Sequence, residues 1–301
     1  MQPIQESNLF EASLDVHGID WVVVFAYFDD TSGGARGELS GWAGYVFDPA
    51  GASRFRELYR EKVEPLLPPD QSGRRIFRAA KIHALQGQFA GLRDFREHIF
   101  KQMVAVLAET VTVGAVVCIE KPEYERGLKG RVINVRVKGH PSTNLRPWAG
   151  SPYSLCLLRC IQLLNQWMDE QRMSGDIEYV FENGTPHQPE IDGMLSRVGS
   201  NPDFAKRFRW AKYSFAEKGP KAPWLFAPDY FAWEWQRYDR NAEEPERGEW
   251  RTTILPLIEA KTHLASILTE ASVNTQAAIN VFNGLMGPST TLSDPRIRSA
   301  I

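Results

Sequence analysis

Apolar positions along the first third of the chain fall into two patterns. Trp21 to Phe28, WVVVFAYF, is an unbroken run of valine and aromatic residues that stops at Asp29, Asp30 and the turn-forming Thr-Ser-Gly-Gly. That run predicts a buried strand ending in a turn. Side chains alternate along a strand, so Val23, Phe25, Tyr27 and Asp29 are expected on one face and Val24, Ala26, Phe28 and Asp30 on the other. Gly41 to Phe47, GWAGYVF, predicts a second strand, paired antiparallel with the first across a loop of about ten residues. Helical spacing follows from Arg54 to Leu67 through Phe55, Leu58, Tyr59 and Val63, closed by Pro65, Pro68 and Pro69.

Arg75 to His83 then reads as a short strand and loop, and Gln88 to Thr110 as a long amphipathic helix carrying Phe89, Leu92, Phe95, Ile99, Met103, Val106 and Leu107 on one stripe. Val111 to Ile119, VTVGAVVCI, has the near-continuous apolar content of a central strand. Tyr153 to Met168 repeats apolar residues at helical spacing, and Ile177 to Glu182, IEYVFE, predicts a strand closed by Asn183-Gly184. Phe204 to Phe215 reads as a further strand region, and Pro228 opens a helix, APDYFAWEWQRY. Beyond a charged loop at Asp239 to Glu249, the spacing of Leu257, Ile258, Leu264, Ile267 and Leu268 predicts a helix over Thr252 to Leu268, with a weaker helical segment to Leu285. This order points to an α/β domain over residues 1–238, a mixed sheet covered by helices, followed at 239–301 by a charged loop and a helical C-terminal extension.

Composition changes this picture little. Of 301 residues, 43% are hydrophobic and 24% charged, as expected of a globular chain with a sizeable core. Lys and Arg number 35 against 37 Asp and Glu, so a formal charge of -2 argues against a general polyanion binder and leaves local basic patches. The main patch is an insertion at 121–150, where Lys121, Arg126, Lys129, Arg131, Arg136, Lys138 and Arg146 face only Glu123 and Glu125. The first residues carry no cationic stretch leading into an apolar run and no window is apolar enough for a bilayer, which sets the expectation of a cytoplasmic protein without membrane contact. Cys118, Cys156 and Cys160 lack metal-type spacing and read as reduced, buried thiols.

The chemistry lies in the acids. Asp29, Glu120 and Glu182 fall at the ends of predicted central strands, and Asp229 falls in the first turn of a late helix. If those ends converge, the carboxylates repel one another unless a divalent ion holds them. An oxygen-only donor set favours Mg²⁺ or Mn²⁺, and two such ions ~3.5–4 Å apart suit phosphoryl transfer to water. Plainer roles compete: Asp29 as a turn opener, Glu120 as a solvated strand end, Glu182 bonded to its turn, and Asp229 as a charge at a helix N-terminus.

YFDDTSG followed by WAGYVF resembles the opening of the family known as domain of unknown function 3800, whose members begin with a strand ending Asp-Glu-Ser-Gly and a second aromatic strand. The similarity continues through RAAKIHA, IEYVFENG and APDYFAWEW, covering roughly Val22 to Tyr238. It implies a ribonuclease H-like fold. By position it makes Asp29 the first-strand acid, Glu182 the acid of a later strand, Asp229 that of the last helix, and Lys81 a lysine of the middle segment. Two departures stand out: Asp30, Thr31 and Ser32 replace Glu-Ser-Gly, and Glu182 is one methylene longer than the usual aspartate. The expectation is a Mg²⁺- or Mn²⁺-dependent nuclease of DNA or RNA. Asp29, Glu182 and Asp229 would be ligands and Asp30 an alternative or supporting ligand; Lys81 would neutralise the scissile phosphate, against the plainer role of a surface lysine, and His83 would carry protons, against that of a structural histidine. The alternative is an inactive nucleic-acid or protein adaptor, using the basic stretch from Lys121 to Lys138 with Trp224 and Trp233 as candidate exposed contacts, against the commoner role of tryptophan in core or domain packing.

Overall fold

The structure is a computed structural model and describes residues 24–30, 39–128, 134–135, 143–144, 151–200, 202–240, 253–269 and 273. The irregular start, the Thr31–Gly34 turn, most of the basic insertion, the charged loop after Arg240 and the segment running to Leu285 lie outside the described residues.

The opening run forms β1 (Val24–Asp30), and the next forms β2 (Leu39–Phe47), paired antiparallel from Phe25 beside Phe47 to Asp30 beside Trp42. A helix α1 (Pro49–Leu58) starts where Asp48 accepts a hydrogen bond from the Gly51 amide at 2.6 Å and Pro49 takes the first helical position, which needs no N–H donor. It relaxes into a π turn at Tyr59–Val63 and a 3₁₀ turn at Glu64–Leu66. Next come α2 (Ala79–His83), α3 (Arg96–Thr110), β3 (Val113–Glu120), α4 (Lys121–Leu128) and the two-residue pair β4 (Asn134–Val135) and β5 (Thr143–Asn144). The second half holds α5 (Pro152–Glu170), β6 (Ile177–Glu182), α6 (Gln188–Ser200), α7 (Pro202–Arg207), β7 (Trp210–Ala216), α8 (Phe226–Arg240), α9 (Leu255–Ala260) and β8 (Thr262–Leu268).

Six strands make one mixed sheet in the order β7-β6-β1-β2-β3-β8. β2 runs antiparallel to both neighbours, whereas β1, β6 and β7 are mutually parallel, as are β3 and β8. Strand alternation divides the core as expected. Val24, Ala26, Phe28, Trp42, Ile177, Tyr179 and Phe181 are buried on the face covered by α5. Tyr27, Tyr45, Phe47 and Val180 are buried on the other, with α1, α3 and α8. No helix among the described residues is long and apolar enough to cross a membrane.

Several expectations give way. The helix expected over Thr252 to Leu268 is only α9, because from Thr262 the chain pairs in parallel with β3. The described part of the expected helical extension is therefore a short helix followed by the sixth strand of the sheet. Leu257, Leu264, Ile267 and Leu268 suit either period, and the backbone hydrogen bonds gained at a sheet edge decide for the strand. Arg75 to His83 contains no strand: its first residues are irregular and Ala79–His83 is helical. The long helix begins at Arg96, after a 3₁₀ turn at Gly87–Phe89, and Phe95 is 60% exposed rather than part of an apolar stripe. Phe204 to Phe215 divides between α7 and β7, α6 was not anticipated, and the basic insertion opens as a helix in which Arg126 pairs with Glu123. The three cysteines are free and buried, as expected.

Candidate active site

In the parallel pair β1 and β6, Phe28 lies beside Phe181. One residue further along each strand come Asp29 and Glu182, on the face of Tyr27 and Val180, where α8 packs. Asp229 enters the same space from the first turn of α8. The link from β7 to α8 carries Lys218, whose side chain is 1% exposed. Its Nζ lies 2.8 Å from Asp29 Oδ2, 2.6 Å from Glu182 Oε2 and 3.1 Å from Asp229 Oδ1. Two of the remaining oxygens have other donors. Asp229 Oδ2 accepts from the Ala79 amide at 2.9 Å, and Glu182 Oε1 accepts from the Arg78 guanidinium at 3.2 Å. These five residues draw together two strand ends, a helix start and two connecting segments.

The cluster lines a cavity of about 290 Å³ together with Asn183, Gly184 and Thr185. Gly184 has a φ of +86°, a conformation that glycine adopts without strain, and its amide donates to Gln188 Oε1 at 2.7 Å. The Asp29 carboxyl is raised to about 7, chiefly by burial, with Lys218 pulling it down and Asp229 and Glu182 pushing it up. For Lys218, burial disfavours the ammonium, but Asp229, Asp29 and Glu182 more than reverse that and hold the group above the usual lysine value. The charge at the centre is a fixed cation.

Of the residues expected at a site, Asp29, Glu182 and Asp229 are brought together. Asp30 ends β1 with its backbone beside Trp42, and its side chain lies outside the described residues. Lys81 is exposed on α2 and does not line the cavity; Glu120 is exposed at the end of β3. His83 is half-buried, with Nε2 2.8 Å from Arg237 and its ring 5.0 Å from that of Trp233. The two tryptophans assigned to an exposed contact surface pack inward. Trp224 is buried, donates to the Ala52 carbonyl at 2.7 Å and stacks on Tyr27, and Trp233 is half-buried against Phe100. An indole with a satisfied N–H and an aromatic neighbour gains more from the core than from water.

Lys218 and Arg78 were not anticipated as site residues. Lys218 stands in a lysine- and proline-rich run that reads as a loop, and no periodicity marks a single loop side chain as buried.

The donor chemistry suits a hard divalent ion, but not one gripped by all three acids. Among the described residues no group of three or more His, Cys, Asp or Glu side chains could hold a metal as arranged, and Lys218 Nζ already lies where the three carboxylates meet. Asp29, Glu182 and Asp229 are nonetheless 13%, 21% and 18% exposed to the cavity. Mg²⁺ is commonly held by one or two carboxylates with water and phosphate oxygens completing its shell, and the residues present fit that mode. Compared with known proteins, the chain matches no family model, and no curated protein or solved structure is significantly similar to it.

Proposed function

We propose that this chain is a Mg²⁺- or Mn²⁺-dependent phosphodiesterase of ribonuclease H-like architecture, cleaving DNA or RNA. The observation that carries the reading is the meeting of Asp29, Glu182 and Asp229, from three separate segments, in one polar cavity at the ends of parallel strands. The crevice beyond the carboxyl ends of parallel strands is where open α/β sheets bind ligands. A mixed sheet with acids on its first strand, a later strand and a late helix is also what the sequence resemblance implies.

Asp29 with Asp229 or Glu182 would hold the ion. When bound, such an ion offsets charge on phosphate oxygens and makes water a better nucleophile. The chain supplies the rest. The Ala79 amide fixes the Asp229 carboxylate, and Lys218 fixes the spacing of all three acids. Arg78, 39% exposed, lines the cavity and would meet a phosphate oxygen with the guanidinium edge not bonded to Glu182, whereas Lys81 does not line the cavity.

A second reading has its own observation. Lys218 already pairs with every carboxylate of the cluster, so the same residues would serve an inactive module as an ion network tying β1, β6 and α8 together. Incubating labelled DNA and RNA with Mn²⁺, Mg²⁺ or a chelator separates the two. The enzyme reading expects metal-dependent cleavage that Asp29→Asn abolishes while its circular dichroism matches wild type. Products formed equally by wild type and Asp29→Asn, or no cleavage with either metal, would leave the inactive module.

A further inference from the structure

The number of divalent ions that this cavity takes, on the metal-dependent reading, is limited by the charge of its lining. With Asp29 ionised, as an ion bound beside it requires, three carboxylates line the cavity against two cations, Lys218 and Arg78, which leaves one net negative charge. One divalent ion turns that into one positive charge, matched by a single phosphodiester. Two would leave three positive charges in a partly buried space, with no further acid among the lining residues to offset them. Space and donors say the same. Lys218 Nζ, within 3.1 Å of all three acids, hydrogen-bonds to Asp29 and Asp229 and pairs with Glu182, and its 1% exposure means that it cannot swing out into water without unpacking its own segment.

From this geometry we infer that Lys218 permanently fills one of the cation positions of the site, so that the chain binds a single divalent ion, held by at most two of the carboxylates and completed by water and substrate phosphate. Lys218 is thus a positioning residue. It keeps the carboxylates assembled in the metal-free protein, and it lowers the affinity for the ion by repelling it from a few ångströms away.

This inference rests on the metal-dependent reading, and one titration separates their fates. Mn²⁺ is titrated into wild type, Lys218→Met and Asp29→Asn, with free Mn²⁺ followed by electron paramagnetic resonance and heat by calorimetry. The expected result is one Mn²⁺ per wild-type chain, at least tenfold tighter binding in Lys218→Met, and loss of the ion in Asp29→Asn. A lysine with a merely structural role would give the opposite change in Lys218→Met, since disordered ligands bind more weakly. Two Mn²⁺ per wild-type chain, or unchanged or weaker binding in a folded Lys218→Met, overturns the inference and leaves the phosphodiesterase standing. No Mn²⁺ in wild type overturns both. If Lys218→Met fails to fold even with Mn²⁺ present, the wild-type stoichiometry decides alone: one ion upholds the inference and two overturn it.

Discussion

The same helix covers two buried polar places on one face of the sheet, and they are built on opposite principles. Beside the start of α8, Lys218 is ringed by Asp29, Glu182 and Asp229, and the acids outnumber the local cations. Further along α8, Phe231 packs on Tyr45 of β2 and His263 of β8, with ring centroids 5.0 and 5.1 Å away. There the two polar side chains pair as neutral groups, with the buried carboxylate of Glu234 on the same helix near Tyr45. His263 Nδ1 lies 2.9 Å from the Lys261 carbonyl, which can only accept, so Nδ1 carries the proton and Nε2 accepts from the Tyr45 hydroxyl at 3.2 Å. Burial lowers the His263 pKa, keeping the imidazole neutral, and raises that of Tyr45 well above its usual value. A neutral, closed pair holds strands together and asks for nothing more. An assembly with more acids than cations beside a cavity has room for a ligand that the neutral pair lacks, and that contrast supports the proposed function at the first place.

The contrast breaks most visibly at Lys218. Lys218→Ala leaves three carboxylates facing one another, and urea unfolding in chelator should show a loss of about 3–5 kcal/mol, the usual cost of removing one partner from a buried ion pair. Mn²⁺ should restore part of that loss. Next in size is Asp229→Asn. Even groups that only support a ligand cost ~10–100-fold when removed, so cleavage should fall at least about a hundredfold, measured on labelled substrate at saturating Mn²⁺.

At the neutral pair the effects are on stability alone. A Cβ at Gly114 would come within 2.6 Å of the His263 ring and 2.9 Å of the Tyr45 ring, so Gly114→Ala should cost about 1–3 kcal/mol while metal-dependent cleavage of the folded protein is unchanged. The smallest effect is that of pH. Below the ordinary histidine value of 6.5 the unfolded chain takes up a proton that folded His263 resists, so its contribution is complete above 6.5 and declines as the pH falls. One proton limits the slope to about 1.4 kcal/mol per pH unit. His263→Gln should flatten the urea midpoint between pH 6.5 and 5 by up to that amount, and an unchanged profile would mean that the imidazole protonates freely in the fold.

The sequence made the inner strands and the acids legible, and for a physical reason. β1, β2 and β6 are apolar enough to announce burial, and period-two alternation on β1 put Asp29 on the face of Tyr27, where it is found. Glu182 and Asp229 were marked by their positions at the end of a strand and the start of a helix. What stayed hidden depends on distant partners. β8 is an edge strand whose mixed exposure imitates a helix, and only its pairing with β3 fixes it. Lys218 and Arg78 lie outside regular elements, where no period exists to read, and their roles come from carboxylates supplied by other segments. Trp224 and Trp233 show the converse, since large aromatics near a basic chain segment suggest a contact surface that the packing of Tyr27 and Phe100 already occupies.

The most direct measurement is an anomalous difference map from crystals grown with Mn²⁺. This account predicts a single peak in the cavity, within coordination distance of Asp29 and one other carboxylate, with Lys218 still bonded to the cluster. A cavity without a peak, or a pair of peaks with Lys218 displaced, would contradict it.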